Sequence, residues 1–416
     1  MWKLTKVAAV AAALAAAVAA HAGEVEVLHY WTSGGEAKSA AELKKMMQAK
    51  GHTWRDFAVA GGGGDSAMTV LKSRVISGNP PSAAQVKGPA IQEWASEGVL
   101  GNMDALAKSE KWDEALPKVV ADVMKYKGNY VAAPVNVHRV NWIWASSDAL
   151  KKAGVAAMPK TWDEFFAAAD KLKAAGLIPV AHGGQNWQDF TTFESVVLGV
   201  GGPKFYQDAL IKLDDKALTS DTMKKSLETF RRIKTYTDPG APGRDWNLAT
   251  AMLIQGKAGF QLMGDWAKGE FIAAGKAPGK DFMCAAAPGT ANAFTFNVDS
   301  FILFKLKDAA AQKAQSDLAS AIMSPGFQEV FNLNKGSIPV RAGQSMDKFD
   351  DCAKASAKDF ADTAKSGGLV PSVAHGMAIA PATEGAIKDA VSQFWNDDKV
   401  SVADAMKKIA TAAKTK

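Results

Sequence analysis

Cysteine is scarce in this chain: Cys284 and Cys352 are the only two among 416 residues. Neither stands at metal-ligand spacing from a histidine, so no metal centre is expected. Charge of one sign is not concentrated either. The formal net charge is +6, but the excess is scattered without a basic block, which leaves nucleic acid no obvious footing. Beyond Ala22 no apolar run approaches the about 20 residues that a membrane span needs, and there is no internal repeat or low-complexity segment. The glycine run Gly61-Gly62-Gly63-Gly64 lacks the Gly-Lys-Ser/Thr of a phosphate loop, and Ser66 stands where a dinucleotide fingerprint needs its third glycine. His-Glu-x-x-His and Gly-x-Ser-x-Gly are both missing. No cofactor is expected.

What is present begins with an export signal. Lys3 and Lys6 precede the apolar run Val7–Ala20, and Ala20-His21-Ala22 offers small residues for cleavage. These are the parts of a secretory signal peptide over residues 1–22. No cysteine follows the cleavage point, so no lipid anchor is expected there. In an oxidising compartment the two cysteines are expected to form one disulfide, with two buried thiols as the alternative. The remaining length allows two domains of about 100–200 residues each.

The mature chain alternates strand and helix patterns. Val25–Tyr30 reads as a buried strand, Gly34 and Gly35 as a break, and Glu36–Lys50 as an amphipathic helix. Thr53–Val59 is a second strand, followed by the glycine run and a helix with Asp65 as its N-cap. Ala83–Val86 leads through Lys87-Gly88-Pro89 into another helix. Lys257–Met263 ends at Gly264-Asp265-Trp266. Repeated βα units predict an α/β fold with mostly parallel sheets covered by helices. Ligands of open α/β sheets bind outside the carboxyl ends of the strands, where Trp31, Glu36, Lys87 and Trp266 all fall. Asp299 interrupts the β-prone run Ala293–Phe304. A carboxylate there is costly unless paired or used, or unless it marks an edge or a bend between two strands.

Several blocks share an order that resembles a known family. They are Tyr30–Glu36, Val59–Pro81, Val86-Lys87-Gly88-Pro89, Asn136–Trp142, Gly264-Asp265-Trp266, Val298-Asp299-Ser300-Phe301 and Lys335-Gly336-Ser337-Ile338-Pro339. Behind an export signal, and over nearly the whole mature chain, they resemble the extracellular solute-binding proteins of bacterial ABC sugar importers, most nearly the glucose/mannose-binding members. The resemblance implies a two-lobed periplasmic-binding-protein fold with three hinge crossings, each lobe a mainly parallel sheet flanked by helices. Residues 23–134 and 295–344 would form the first lobe; residues 135–294 and 345–416, with both cysteines, the second. It implies a periplasmic monomer that holds a hexose in the cleft and delivers it to the membrane permease. The matching residues are Trp31, Glu36, Lys87, Trp246, Trp266, Asp299, Lys335 and His375, with Asp65, His138, Asn247 and Asp265 as further candidates. Family members differ at the Lys87 position, so this residue is expected to tune which hexose fits.

These residue types suit a sugar. A pyranose buries its C–H face against an indole, and its hydroxyls need partners in place of water. Hydrogen bonds to charged groups contribute about 1.5–3 kcal/mol each, against roughly 1 for neutral pairs. Glu36 and Asp299 would accept, Lys87 and Lys335 donate, and His375 do either. Packing is the simpler role for Trp94, Trp112, Trp162 and Trp395 in helical patterns and for His29; Trp142, His182 and Trp187 stand between packing and cleft. Two rivals remain: a binding protein for a longer oligosaccharide or polyol, and an exported glycosidase using Glu36 and Asp299 as its carboxyl pair. The glycosidase is disfavoured because lysines beside the pair would depress the raised pKa that a general acid needs, and the chain lacks an eight-unit βα rhythm.

Overall fold

Short apolar strands assemble into separate sheets in the computed structural model, which describes residues 22–415. The expected leader lies outside the described residues, apart from Ala22. A five-stranded sheet has the order 53–58, 24–29, 83–86, 300–303, 132–134. A four-stranded sheet has the order 282–286, 142–146, 258–262, 178–180. These two sheets are the cores of the two lobes. Val25, Val27, Leu28 and Ile302 are fully buried in the first, and Ile143, Phe165, Phe193 and Phe260 in the second. A third sheet, of strands 369–371, 294–297 and 138–139, lies where the chain passes between them.

Most strands of each lobe's sheet run the same way, as expected of mainly parallel sheets, with one reversed strand in each. Glu24–His29 runs parallel to both Thr53–Ala58 and Ala83–Val86, as successive βα units require. Ser300–Leu303 then inserts antiparallel between Ala83–Val86 and Ala132–Pro134. In the second lobe Trp142–Ser146 is antiparallel to both its neighbours, while Ile178–Val180, Ala258–Leu262 and Phe282–Ala286 run the same way. The reason is topological. Strands that enter a lobe from the other one arrive without a crossover helix, so nothing forces them to run parallel.

The run Ala293–Phe304 is accordingly two strands in two sheets, Phe294–Asn297 and Ser300–Leu303, with Asp299 in the bend. There the segments around residues 135–137, 298–299 and 337–338 lie side by side. Val135 N–H donates to the Asp299 carbonyl at 2.7 Å, and Val137 exchanges backbone hydrogen bonds with Ile338 at 2.9 and 3.1 Å.

The expected break at Gly34-Gly35 is instead the first turn of the helix Gly34–Ala49. Glycine is needed at 35 for close approach: a Cβ there would stand 2.8 Å from the Gly269 carbonyl carbon, in the helix Trp266–Ala273 of the other lobe. Gly35 N–H also donates to Glu270 Oε1 at 2.9 Å. Asp65 is the first residue of its helix rather than the N-cap, which is Gly64. Cys284, on a strand of the four-stranded sheet, is disulfide-bonded to Cys352 at the start of the helix Asp351–Ser366. Beside it the buried Lys268 binds Asp350, the N-cap of that helix, at 2.9 Å. Among the described residues no helix is long and apolar enough to cross a membrane.

Candidate functional site

The carboxyl ends of the parallel strands in the first lobe and the start of the antiparallel strand Ser300–Leu303 lie on one sheet edge. That edge carries Trp31 and Glu36 after Glu24–His29, Lys87 after Ala83–Val86, and Asp299 before Ser300. From the second lobe come Trp266, one turn past Ala258–Leu262; Trp246 and Asn247, opening the helix Trp246–Ile254; and His375, on the loop after Leu369–Pro371. All eight residues of the sequence-based set line one cavity of about 350 Å³, together with His138 and Asn247. Gly61, Gly63 and Gly64 line it with their backbone, as a tight loop that lets a ligand approach would.

Its aromatic faces belong to both lobes. Trp31 is only 2 % exposed and rests on Phe301 and Phe331, with ring centroids 5.5 and 5.0 Å away. Opposite, Trp266 packs edge-on to His375 at 4.8 Å and to His138 at 5.2 Å, and Trp187 stands 6.4 Å from Trp266. Trp246 is half-buried at the rim.

The charges are arranged in pairs. Lys335, 3 % exposed, donates to Glu36 Oε1 at 2.6 Å. Glu36 Oε2 accepts from the backbone of Thr32 and Ser33 at 3.3 and 3.4 Å, which also satisfies the first turn of the helix. Its helix-capping and cleft-facing roles therefore coincide. Asp299 Oδ1 accepts from Gln85 Nε2 at 3.0 Å, and Oδ2 from Asn136 Nδ2 at 3.1 Å and His138 Nε2 at 2.9 Å. Lys87 Nζ stands 3.7 Å from Asp299 Oδ1, and among the described residues no acceptor is within hydrogen-bond reach of it. Burial raises the pKa of Asp299, but His138 and Lys87 outweigh that and hold the carboxyl well below the usual range. Burial lowers His138, but the Asp265 and Asp299 carboxylates more than compensate and raise it above 6.5. Burial, aided by Lys87 and Lys388, holds His375 well below 6.5 and therefore neutral. Its Nε2 meets Thr191 Oγ1 at 3.0 Å.

Two of the further candidates do not reach the cavity. Asp265 is buried beneath it, bound to His138 Nδ1 and to the Arg139 N–H. Asp65 lies in an adjoining chamber of about 120 Å³, 3.6 Å from Lys388. His138 faces the cavity, but both its ring nitrogens are held by carboxylates, so it positions neighbours instead of offering a free donor. His29 is a satisfied core residue, bound to Asp56 at 2.8 Å. His182 binds Asp189 at 2.8 Å and packs on Trp395; Trp142 is buried against Trp144. Sequence reasoning left out Asn297, which lines the cavity and whose Oδ1 is buried without a partner among the described residues. Asn297 had no local signal, since its meaning comes from the bend beside it.

A cleft between two α/β lobes, walled by indoles and compensated charges, is the architecture of a two-lobed binding protein. The chain belongs to the bacterial extracellular solute-binding protein family, whose model matches residues 31–320. It is 48% identical over 420 residues to a probable sugar-binding periplasmic protein of Brucella suis biovar 1 (strain 1330), covering 99% of each chain. Among solved structures it resembles a chitin oligosaccharide binding protein, with TM-score 0.80, 18% identity and coverage of 94% of this chain and 98% of that one. It also resembles the bacterial solute receptor AcbH, described with an exclusive preference for β-D-galactopyranose, with TM-score 0.78, 19% identity and the same coverage. At those identities the two structures speak for the fold.

Proposed function

We propose that this protein is the periplasmic sugar-binding component of an ABC importer, exported by its N-terminal leader, and that its ligand is a single uncharged hexose: glucose, mannose or galactose. One observation carries the reading. The cavity pairs indole faces with carboxylates and cations that neutralise one another, and among the described residues it leaves Lys87 Nζ and Asn297 Oδ1 without a hydrogen-bond partner. A ring with apolar faces and a rim of hydroxyls matches that inventory, whereas a net charge on the ligand would be left unpaired. The volume sits near the lower end of the about 300–1,000 Å³ typical of small-molecule sites, which favours one ring over several. A stacked ring and a few charged hydrogen bonds supply about −8 kcal/mol, a micromolar dissociation constant.

The lobes would turn about the three adjacent segments near residues 135–137, 298–299 and 337–338, which would move two of the lobe boundaries a few residues from 294/295 and 344/345 as expected from the sequence. Closure around the sugar would then present both lobes to the permease only when loaded. The adjoining chamber beyond Tyr30 and Lys87 favours a second reading, a disaccharide whose other residue enters it. Calorimetry on the mature protein with D-glucose, D-mannose, D-galactose, maltose and cellobiose separates the two. Micromolar binding of one monosaccharide and rejection of the disaccharides is expected. Tighter binding of a disaccharide selects the second reading, and no heat from any of them refutes both.

A further inference from the structure

The loop that carries His375 does more than present that histidine to the cavity. Its base is pinned inside the second lobe by the fully buried Glu194, which accepts from Ser372 Oγ at 2.6 Å, Val373 N–H at 2.9 Å and Ala374 N–H at 3.1 Å. Tyr206 OH donates to the same carboxyl at 2.8 Å. Val373 and Ala374 belong to the apolar core of the second lobe, but Met377, 5 % exposed, joins the core of the first. Between them the backbone presses on the opposite lobe. A Cβ on Gly88 would stand 2.0 Å from the Gly376 oxygen and 2.8 Å from Met377 Cα, so only glycine, at φ +49°, permits the contact. Next to it the buried Lys388 of the second lobe reaches Asp65 of the first at 3.6 Å while bound to Glu384 at 3.2 Å.

We propose that the 372–377 loop is a clasp: anchored by Glu194, inserted into the first lobe through Met377 and braced by Lys388 against Asp65, it keeps the cleft shut and sets how long a bound sugar stays. The proposal rests on the reading that the lobes close around a ligand. Met377 lines neither chamber and Lys388 only the adjoining one, so neither touches a single hexose held in the main cavity. Asp65, a ligand candidate from its sequence position, becomes the receiving half of a brace. Contacts made only in the closed state slow opening and leave encounter alone, so their loss shows in koff.

Stopped-flow tryptophan fluorescence with D-glucose on the mature protein tests this, with Met377→Ala, Lys388→Gln and the conservative Met377→Leu. In Met377→Ala and Lys388→Gln koff should rise about tenfold while kon stays within about threefold, and Met377→Leu should restore most of the residence time. An unchanged koff in folded Met377→Ala and Lys388→Gln overturns the clasp, as does a loss confined to kon. If the wild type binds D-mannose or D-galactose instead, the same rates are read with that sugar; if it binds none of the three, the hexose reading fails separately. The clasp is then judged on the ligand-free protein, with spin labels at Ile76→Cys and Leu248→Cys, both exposed. The closed population must fall in Met377→Ala; an unaltered distance distribution overturns the proposal.

Discussion

Replacing Asp299 by asparagine tests the site at its most constrained atom. A carboxylate offers about four lone-pair positions. Three are occupied by Gln85, Asn136 and His138 at 2.9 to 3.1 Å. The fourth, on Oδ1, faces Lys87 and the cavity and is the position left for a ligand hydroxyl. The surrounding amides cannot turn to suit the substitution: Gln85 Oε1 accepts from Tyr30 N–H and Asn136 Oδ1 from Asp299 N–H, so both keep their NH₂ groups pointed at residue 299. The introduced side-chain amide would set a donor against a donor on one side. It would also weaken a charged hydrogen bond of about 1.5–3 kcal/mol to a neutral one of roughly 1. Together these effects should weaken hexose binding about ten- to a hundredfold. Calorimetry of Asp299→Asn and wild type, with thermal melts as the folding control, reads the change. A folded variant that binds as tightly as wild type would show that Asp299 is a structural anchor with no part in the ligand site.

Stability should decline as pH rises above about 6.5. Burial pushes Glu194 from 4.5 up to about 7, and His138 lies above 6.5 because two carboxylates face it. A raised folded pKa confers stability that is complete below the unfolded value and is lost as pH climbs through the folded one. Glu194 therefore costs stability between about 4.5 and 7, but His375, held below 6.5, gains stability as pH rises to 6.5 and offsets that loss. Above about 6.5 His138 makes the net change a decline, and a melting temperature that rises from about pH 6.5 to 8 contradicts this. Trp31→Ala should lose about 3–5 kcal/mol of stability as well as affinity, because the indole is core to the first lobe. The cleaner stacking test is Trp246→Ala, which should weaken sugar binding roughly five- to tenfold with an unaltered melting temperature; unchanged calorimetry removes Trp246 from the site. Thiol titration of denatured, unreduced protein should find no free thiol. The paired Cys284→Ser and Cys352→Ser substitutions, opening a bridge that spans 68 residues, should cost about 4 kcal/mol in denaturant unfolding. Two free thiols, or no loss of stability, would remove the bridge.

Much was legible in the chain itself, for a local reason. Where a βα unit is continuous, the strand's apolar run, the turn and the helix start are neighbours in sequence, so Trp31, Glu36, Lys87 and Trp266 announced their place at strand ends. His375 was marked by the polar loop after the Ser372-Val373 turn, but Lys335 and Trp246 were reachable only through the family resemblance, since nothing within a few residues of either marks a cleft. The same limit explains the misplaced aspartates. Asp65 and Asp265 sit at helix starts just as Glu36 nearly does, yet one turns to Lys388 and the other beneath His138. Their partners are more than 100 residues distant in sequence.

The sequence alone determined which segments are strands or helices and which side chains stand at their ends, because periodicity and glycine or proline punctuation act over a few residues. Only the tertiary structure decided that Ser300–Leu303 enters antiparallel, that Asp299 is held by groups 163 and 214 residues away, and that Met377 crosses into the opposite lobe. Those outcomes depend on how whole lobes pack, and burial and charge pairing between distant segments leave no local trace in the order of residues.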